Sequence, residues 1–262
     1  MKKTILITGA TDGIGLLTAQ KLCADGHQVI LHGRHKNKLA ELSESLGGVP
    51  TFIADFSCMD EVVGMAKSVL ASYDQLDVLI NNAGILKSDE TRTEAGRDIR
   101  FEVNTLAPYV LTRCLLPIIP TAGRVINLSS AAQAPVDIEA MKKFQPMQDM
   151  AAYAQSKLAI TIWSATLADQ MPDGPVYVAV NPGSLLATKM VKQGFGIDGN
   201  DLNIGADILV RVALSDEFST ASGTYFDNDS GCFASPHQAA GDQQHVDAVM
   251  TTIRSLTKGF IL

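Results

Sequence analysis

The sequence predicts an α/β fold in which a doubly wound parallel sheet is covered by helices on both faces. Two observations carry this prediction. Short segments rich in Ile and Val alternate with amphipathic stretches of helix length, and a glycine-rich turn follows the first apolar segment. Strands that are apolar on both faces are typical of parallel sheets buried between helix layers. A chain of 262 residues, 46% of them hydrophobic, can form one large core, so we expect a single domain over residues 1–262.

The predicted elements follow one another in β-α order. Six strands are predicted, at Thr4–Thr8, Gln28–His32, Pro50–Ala54, Asp77–Asn81, Arg124–Ser129 and Val176–Asn181. Five helices lie between them, at Gly13–Asp25, Asn37–Leu46, Met59–Tyr73, Asp98–Leu116 and Ala151–Gln170. This order is that of a Rossmann-type fold. Three stretches rich in Gly, Pro and polar residues interrupt it and are predicted to be loops on one rim: Ala131–Met150, Lys189–Asn203 and Asn228–Asp242.

Charge and cysteine content exclude several classes of function. A net charge of −7 disfavours nucleic acid and anionic membranes as partners. The cysteines form no Cys-x-x-Cys pair, so we expect neither a disulfide framework nor a metal site, but buried thiols of a reducing compartment: Cys23, Cys58, Cys114 and Cys232. The first apolar run stops at Thr8-Gly9, and no segment is long enough to span a bilayer. A cytoplasmic protein without a membrane span is expected.

The turn after the first strand has the chemistry of a phosphate site. Its glycines permit close backbone approach, and the N-terminus of the following helix presents free N–H groups to an anion. The candidate cofactor-binding residues here are Gly9, Thr11, Asp12, Gly13, Ile14 and Gly15. The spacing Gly-x-x-x-Gly-x-Gly differs from the common dinucleotide fingerprint, so a purely structural turn is the alternative.

The next two strands end in residues suited to the adenosine half of a dinucleotide. Arg34 stands where an NAD site usually has an acid for the ribose, and an arginine suits a 2′-phosphate, which favours NADP(H) while leaving NAD(H) possible. The alternative is a solvated charge at a helix start. Asp55, next to Phe56, could accept a hydrogen bond from an adenine amino group or could cap the following helix.

The remaining strand ends supply amides and hydroxyls. Asn82, Ala83 and Gly84 follow the fourth strand, and Asn104 interrupts the apolar pattern of the next helix, where a buried amide needs hydrogen-bond partners. We expect a helix kink held by a water there, with an exposed Asn as the alternative. Ser130 ends the fifth strand. Two residues that follow the sixth strand, Pro182 and Gly183, form a turn signal.

Tyr153 and Lys157 lie four residues apart in a predicted helix, so they share one face. A cation beside a phenol favours the phenolate, so we expect Lys157 to lower the pKa of Tyr153 and to allow proton exchange near neutral pH. Such a pair also occurs by chance on many solvated helices.

Taken together, these motifs resemble the short-chain dehydrogenase/reductase family: Thr-Gly-x-x-x-Gly-Ile-Gly at 8–15, Asn-Asn-Ala-Gly at 81–84, Asn104, Ser130, Tyr153-x-x-x-Lys157 and Pro182-Gly183. The resemblance implies that Tyr153 is the acid/base, that Lys157 binds the nicotinamide ribose, that Ser130 orients the substrate oxygen and that Asn104 holds a proton-relay water. It also implies a carboxamide contact from Thr188, although the segment before Thr188 is one residue longer than the family pattern.

Ser130 and Tyr153 are 23 positions apart, more than in most members of the family. This spacing resembles the branch that contains retinol dehydrogenases and protochlorophyllide reductase. The extra residues near 131–150, with those at 189–203, are expected to be substrate loops with apolar walls: Met141, Phe144, Met147, Met150, Met190, Val191 and Phe195.

The resemblance implies an NADP(H)-preferring oxidoreductase that interconverts a carbonyl and an alcohol on a fairly apolar small molecule. Two alternatives remain at this stage: a non-catalytic nucleotide-sensing protein on the same fold, and an isomerase or dehydratase with tightly bound NAD(P). The family also implies a homodimer or homotetramer formed through the helices at 98–116 and 151–170.

Overall fold

A mostly parallel sheet runs through the middle of the protein. The computed structural model describes residues 1–262 except for the side chain of Phe195. Its strands are β1 (Thr4–Ile7), β2 (Gln28–Gly33), β3 (Thr51–Ile53), β4 (Val78–Asn81), β5 (Arg124–Leu128), β6 (Val176–Asn181), β7 (Thr224–Asp227) and β8 (Cys232–Ala234). They lie in the order β3-β2-β1-β4-β5-β6-β7-β8, and β8 alone pairs antiparallel. The chain leaves β1 toward opposite edges in its two halves, which confirms the predicted doubly wound fold.

Helices cover both faces of this sheet. Along the chain they are α1 (Gly13–Ala24), α2 (Lys36–Ser45), α3 (Met59–Ser72), α4 (Ile99–Phe101), α5 (Ala107–Leu115), α6 (Ile138–Lys142), α7 (Asp149–Gln170), α8 (Lys189–Phe195), α9 (Leu202–Leu214) and α10 (Gln243–Thr257). Successive strand side chains point to opposite faces, so Leu6 packs with α3, α5 and α7, whereas Ile5 and Ile7 pack with α1 and α9. Two apolar layers therefore hold the sheet between them.

The predicted helix Asp98–Leu116 is wrong as one element. It begins as α4, passes into a π-helical turn at Glu102–Leu106 and continues as α5. The turn contains Asn104, whose side-chain amide bonds to Ile85 and Ser156 in other parts of the chain. These distant contacts widen the helix, which the local apolar pattern cannot show.

The three predicted loops also contain regular structure. The stretch 131–150 holds α6, the stretch 189–203 holds α8, and the stretch 228–242 holds β8 and a 3₁₀ turn at Gln238–Gly241. The elements β7, α9 and α10 had no counterpart in the predicted order. β7 has four residues, so its identity as a strand depends on pairing with β6 and β8 rather than on its own periodicity.

The four cysteines differ in how deeply they are buried. Cys114 is buried, Cys23 and Cys58 are half-buried and Cys232 is exposed, so the expectation of four buried thiols is wrong.

Every residue of α5 except Arg113 is buried within this chain, and α10 packs against α7. Little of α5 and α7 is left exposed for a second copy. Among the described residues, none of the helices combines the length and the apolar character that crossing a membrane requires.

Candidate active site

A cavity of about 690 Å³ lies at the carboxyl ends of the parallel strands. Most of the residues predicted to bind a cofactor or act in catalysis line it: Gly9, Thr11, Asp12, Gly13, Ile14, Arg34, Asp55, Phe56, Asn82, Ala83, Gly84, Ser130, Tyr153, Lys157, Pro182, Gly183 and Thr188. Two predicted residues, Gly15 and Asn104, lie behind its wall. The fold therefore gathers side chains from six strand ends into one cleft, as ligand sites in open α/β sheets require.

The glycine-rich turn is locked to the segment after β4. Gly9 has a φ of +65°, and a Cβ there would lie 2.8 Å from the Cα of Ala83. The Asn82 amide donates to the carbonyls of Thr8 and Gly9, at 2.8 and 3.0 Å. A Cβ on Gly15 would meet the Gly9 oxygen at 2.6 Å. Gly15 thus permits this packing and does not face the cavity.

His32 is a site residue that the sequence prediction missed. Its Nδ1 accepts from the Gly9 N–H at 3.2 Å, so its Nε2 carries the proton and donates to the Ala54 carbonyl at 3.0 Å. The ring stacks on Phe56 with centroids 4.2 Å apart. Burial lowers the pKa of His32 to about 4, which keeps it neutral at physiological pH. A lone polar residue near the end of an apolar strand was the available signal.

The outer end of the cavity carries exposed charge. Arg34 Nη1 lies 4.0 Å from a carboxylate oxygen of Asp55, and Lys38 lines the same region. The Asp55 carboxylate accepts from the backbone and hydroxyl of Ser57, at 2.9 and 2.7 Å. Cys58, not Asp55, stands at the N-cap position of α3. The helix-cap alternative for Asp55 is therefore wrong, and its carboxylate belongs to the cavity wall.

The segment after β6 folds back onto the glycine-rich turn. Thr188 caps α8 by accepting from the Val191 N–H at 3.2 Å, and its methyl group would be 3.3 Å from a Cβ on Gly13. Lys189 Nζ forms an ion pair with Asp12 at 2.5 Å. Thr188 therefore lies at the cavity despite the extra residue that precedes it.

Tyr153 and Lys157 meet Ser130 at the inner end of the cavity. Lys157 is only 3% exposed; its Nζ donates to the Leu128 carbonyl at 2.7 Å and lies 5.5 Å from the centre of the Tyr153 ring. Burial lowers the pKa of Lys157 to about 7. Burial also raises the pKa of Tyr153, and hydrogen bonding with Ser130 opposes that rise.

The predicted direction of the shift in the Tyr153 pKa is therefore wrong. Desolvation disfavours the charged form of both groups. Because burial disfavours the ammonium form of Lys157, this side chain is a weak source of positive potential for the phenol.

The two adjacent serines have different environments. Ser129 is buried, bonds to the Lys157 carbonyl at 3.1 Å and shares a 2.6 Å hydrogen bond with Thr161. Ser130 is half-buried and lines the cavity, where its Oγ accepts from the Ala132 N–H at 3.1 Å. The hydroxyl proton of Ser130 is thus free to point into the cavity, in keeping with its predicted place.

Asn104 acts inside the protein rather than in the cavity. Its Oδ1 accepts from the Ile85 N–H at 2.8 Å, and its Nδ2 donates to the Ile85 carbonyl and the Ser156 hydroxyl, at 2.9 and 3.0 Å. Each polar atom of the side chain has a protein partner, so the expectation of a water held by this amide has no support in its contacts. The contacts instead join the π-helical turn to α7, one residue from Lys157.

The predicted apolar walls are only partly correct. Met150, Met190 and Val191 line the cavity. Met141 is buried in the main core, while Phe144 and Met147 lie away from the cavity; Phe195 falls outside the described side chains. Other apolar residues complete the wall and were not predicted: Ile85, Leu86, Val103, Leu185 and Leu186.

Comparison with known proteins agrees with this architecture. The family model described as short chain dehydrogenase matches residues 3–195. Retinol dehydrogenase 13 of Mus musculus is 30% identical over 254 residues, covering 86% of this chain and 75% of its own length. The short-chain dehydrogenase chry4 of Gibberella zeae is 29% identical and covers 97% of this chain and 96% of its own.

Solved structures show the same fold. An uncharacterized protein from Mycobacterium paratuberculosis superposes with a TM-score of 0.82 at 26% identity, covering 98% of this chain and 93% of its own. A Shigella flexneri protein described as a short chain dehydrogenase and complexed with NADP gives a TM-score of 0.69 at 26% identity, with coverages of 87% and 97%. The chain therefore belongs to the short chain dehydrogenase family and is an NAD(P)-dependent oxidoreductase.

Proposed function

We propose that the protein interconverts a carbonyl and an alcohol on an apolar small molecule, that it prefers NADP(H), and that Tyr153 is the general acid/base. The observation that carries this proposal is the convergence of Ser130, Tyr153 and Lys157 at the inner end of a cavity whose outer end holds Arg34. A nucleotide-sensing protein would need the outer end only.

A dinucleotide is the ligand that we propose for this cavity. The close approach of Gly9 to Ala83 leaves no room for a side chain on the turn, and the first residues of α1, Gly13 and Ile14, line the cleft, where a helix N-terminus favours an anion. A Cβ on Gly84 would lie 3.4 Å from Lys157 Nζ, so a ribose placed against this glycine would come within reach of the lysine. Hydride transfer is the chemistry that a bound nicotinamide supplies.

The chain's own residues would handle the proton. In reduction, the Tyr153 phenol donates its proton to the substrate oxygen, while the Ser130 hydroxyl donates a hydrogen bond to the same oxygen as negative charge develops there. Lys157 holds the ribose hydroxyls and returns a proton to the phenolate. Asn104 supports this arrangement by fixing the π-helical turn against α7.

The raised pKa of Tyr153 favours the reduction direction at neutral pH. A phenol that stays protonated is ready to act as an acid, whereas alcohol oxidation needs the phenolate. We therefore infer that carbonyl reduction is the faster direction near neutral pH, and that alcohol oxidation gains rate as the pH rises.

The preference for NADP(H) rests on Arg34. Its guanidinium is the cation nearest to Asp55, and Lys38 lies in the same part of the cavity. An Arg34→Asp variant should lose most of its NADPH affinity and change little toward NADH. Fluorescence titration of both cofactors measures this, and an Arg34→Asp variant that kept the NADPH preference would remove the argument.

The apolar wall suggests a lipophilic carbonyl compound. Met150, Met190 and Leu86 offer flexible apolar surface on the substrate side of Tyr153. We propose to test a panel of straight-chain aldehydes, aromatic ketones and quinones. All-trans-retinaldehyde is included because one relative is named retinol dehydrogenase 13. Loss of absorbance of the reduced nicotinamide reports turnover of each compound.

The decisive variant is Tyr153→Phe. It removes only the phenolic oxygen, so NADPH binding should stay within about twofold while turnover falls by roughly 100-fold or more. Wild-type turnover in this variant would refute the assignment of Tyr153. NADPH binding without turnover of any compound would favour a nucleotide sensor, and a nicotinamide that survives purification and dialysis would favour an isomerase or dehydratase.

A further inference from the structure

The backbone carbonyl of Ser130 is held from two sides by residues outside the cavity. The Tyr225 hydroxyl, on β7, donates to it at 3.1 Å. The Gln133 amide, three residues further along the chain, donates to it at 3.0 Å. Neither Tyr225 nor Gln133 is among the residues that line the cavity.

Gln133 uses every polar group of its side chain. Its second amide hydrogen is directed at Ser129 Oγ, 3.3 Å away, and its Oε1 accepts from the His237 N–H at 2.9 Å. These partners fix which end of the amide is which, because a flipped amide would set an oxygen against the Ser130 carbonyl and an NH₂ against an N–H. One side chain thus joins the end of β5 to the segment that follows β8.

Tyr225 completes the arrangement from the neighbouring part of the sheet. Tyr225 is 7% exposed and lies on β7, which is two strands away from β5. It pairs in register with Ala179 of the intervening strand β6. Its phenol reaches across to the end of β5. The Ser130 peptide therefore has donors from β7 and from the insertion that precedes Tyr153, whereas its hydroxyl is left to face the cavity.

We propose that Tyr225 and Gln133 are positioning residues that fix the Ser130 peptide and thereby aim the Ser130 hydroxyl at the oxygen shared with Tyr153. This inference rests on the proposed function. It assigns a role in the reaction to the long insertion and to the segment after β8: through Gln133 and His237 they hold the serine in place.

The test compares single and double variants, using the panel compound that the wild-type protein reduces fastest. Tyr225→Phe removes one hydroxyl, and Gln133→Met removes the amide at similar length. Each should lower kcat by about tenfold, the effect of one or two hydrogen bonds, while KM for NADPH stays within about twofold. Tyr177→Phe is the matched control, because the buried Tyr177 hydroxyl on β6 hydrogen-bonds to the Met171 sulfur at 3.9 Å and not to the Ser130 peptide.

Two readouts separate positioning from a loss of stability. In a Ser130→Ala background, Tyr225→Phe should have no further effect on kcat, because it acts through the missing hydroxyl. Hydrogen bonding from Ser130 lowers the pKa of Tyr153, so Tyr225→Phe should also move the rising limb of the alcohol-oxidation pH profile to higher pH.

The outcomes distinguish this inference from the proposed function. If Tyr153→Phe abolishes turnover while Tyr225→Phe and Gln133→Met retain wild-type kcat and pH profile, only the positioning roles are overturned. Effects of Tyr225→Phe and Ser130→Ala that simply multiply would overturn them too. Full turnover in Tyr153→Phe, or no turnover of the panel by the wild-type protein, would overturn the proposed function and this inference with it.

Discussion

Replacing Lys157 with methionine should make the protein more stable at neutral pH. Lys157 is 3% exposed, and burial lowers its pKa from 10.5 to about 7. The folded protein therefore binds this proton less readily than the unfolded chain does. Between the two pKa values the unfolded state holds more protons, so stability rises with pH across this window.

The shift corresponds to a penalty of about 4 kcal/mol at pH 7 relative to strongly alkaline solution. Methionine has a similar length and carries no charge, so it removes the whole penalty. It also leaves the Leu128 carbonyl without its 2.7 Å donor, which costs about 1–3 kcal/mol. Lys157→Met should therefore be stabilised by roughly 2 kcal/mol at pH 7.

Urea unfolding of the protein dialysed free of nucleotide measures this. From about pH 7 to 8.5 the wild-type free energy of unfolding should rise by about 2 kcal/mol, and the Lys157→Met variant should lose that slope. Lys67→Met, at an exposed position on α3, is the control and should keep it. The measurement stays below pH 9 because burial raises the pKa of the Cys23 and Cys114 thiols. Above that pH these thiols ionise in the unfolded chain before they ionise in the folded protein, which lowers the free energy of unfolding. A Lys157→Met variant that is less stable than wild type and keeps the slope would refute the reasoning.

Three more outcomes are expected. Gly9→Ala should weaken NADPH binding at least tenfold in a fluorescence titration, because Gly9 has a φ of +65° and the new methyl group would lie 2.8 Å from the Ala83 Cα. Gly48→Ala is the control: Gly48 has a φ of +81° but lies in open space, so NADPH binding should not change. Arg100→Met should lower the free energy of unfolding by about 3–5 kcal/mol in urea, because it leaves the buried Asp98 carboxylate without its 2.6 Å partner; an unchanged value would contradict this. Burial lowers the pKa of His32 from 6.5 to about 4, so as the pH falls the unfolded chain takes up this proton before the folded protein does. The free energy of unfolding should therefore decrease as the pH falls from 6.5 to about 4. His32→Phe should reduce this decrease, and an acid-unfolding profile identical to that of the wild type would contradict the prediction.

Much of the fold could be predicted from the sequence because the signals were local. The strands β1, β2 and β4 are apolar on both faces, and a glycine or an asparagine stands at or just after the end of each, so periodicity and turn residues placed them within a residue or two. The candidate site followed from the same information, since strand ends in a parallel sheet meet at one edge. Gly9, Arg34 and Tyr153 reach one cavity for that reason.

The parts that could not be predicted depend on partners distant in sequence. The π-helical turn exists because Asn104 bonds to Ile85 and Ser156, 19 and 52 residues away. β8 has three residues and one neighbouring strand, so its identity as a strand comes from pairing with β7. The direction of the Tyr153 pKa shift follows from burial, and the spacing of Tyr153 and Lys157 carries no information about burial.

Water and salt should weaken charge interactions at the outer end of the cavity more than at the inner end. The Arg34 side chain is 56% exposed and lies near the partly exposed Asp55, so water and salt screen its interaction with a phosphate. The cofactor discrimination that we propose there would rest on single contacts in a high dielectric, each worth about 1 kcal/mol. Desolvation lowers the pKa of Lys157 from 10.5 to about 7 and raises the pKa of Tyr153, and salt does not screen desolvation. We therefore expect a few substitutions near Arg34 to change the proposed cofactor preference, whereas the proposed acid/base chemistry should depend on the packing of α7, the π-helical turn and the end of β5.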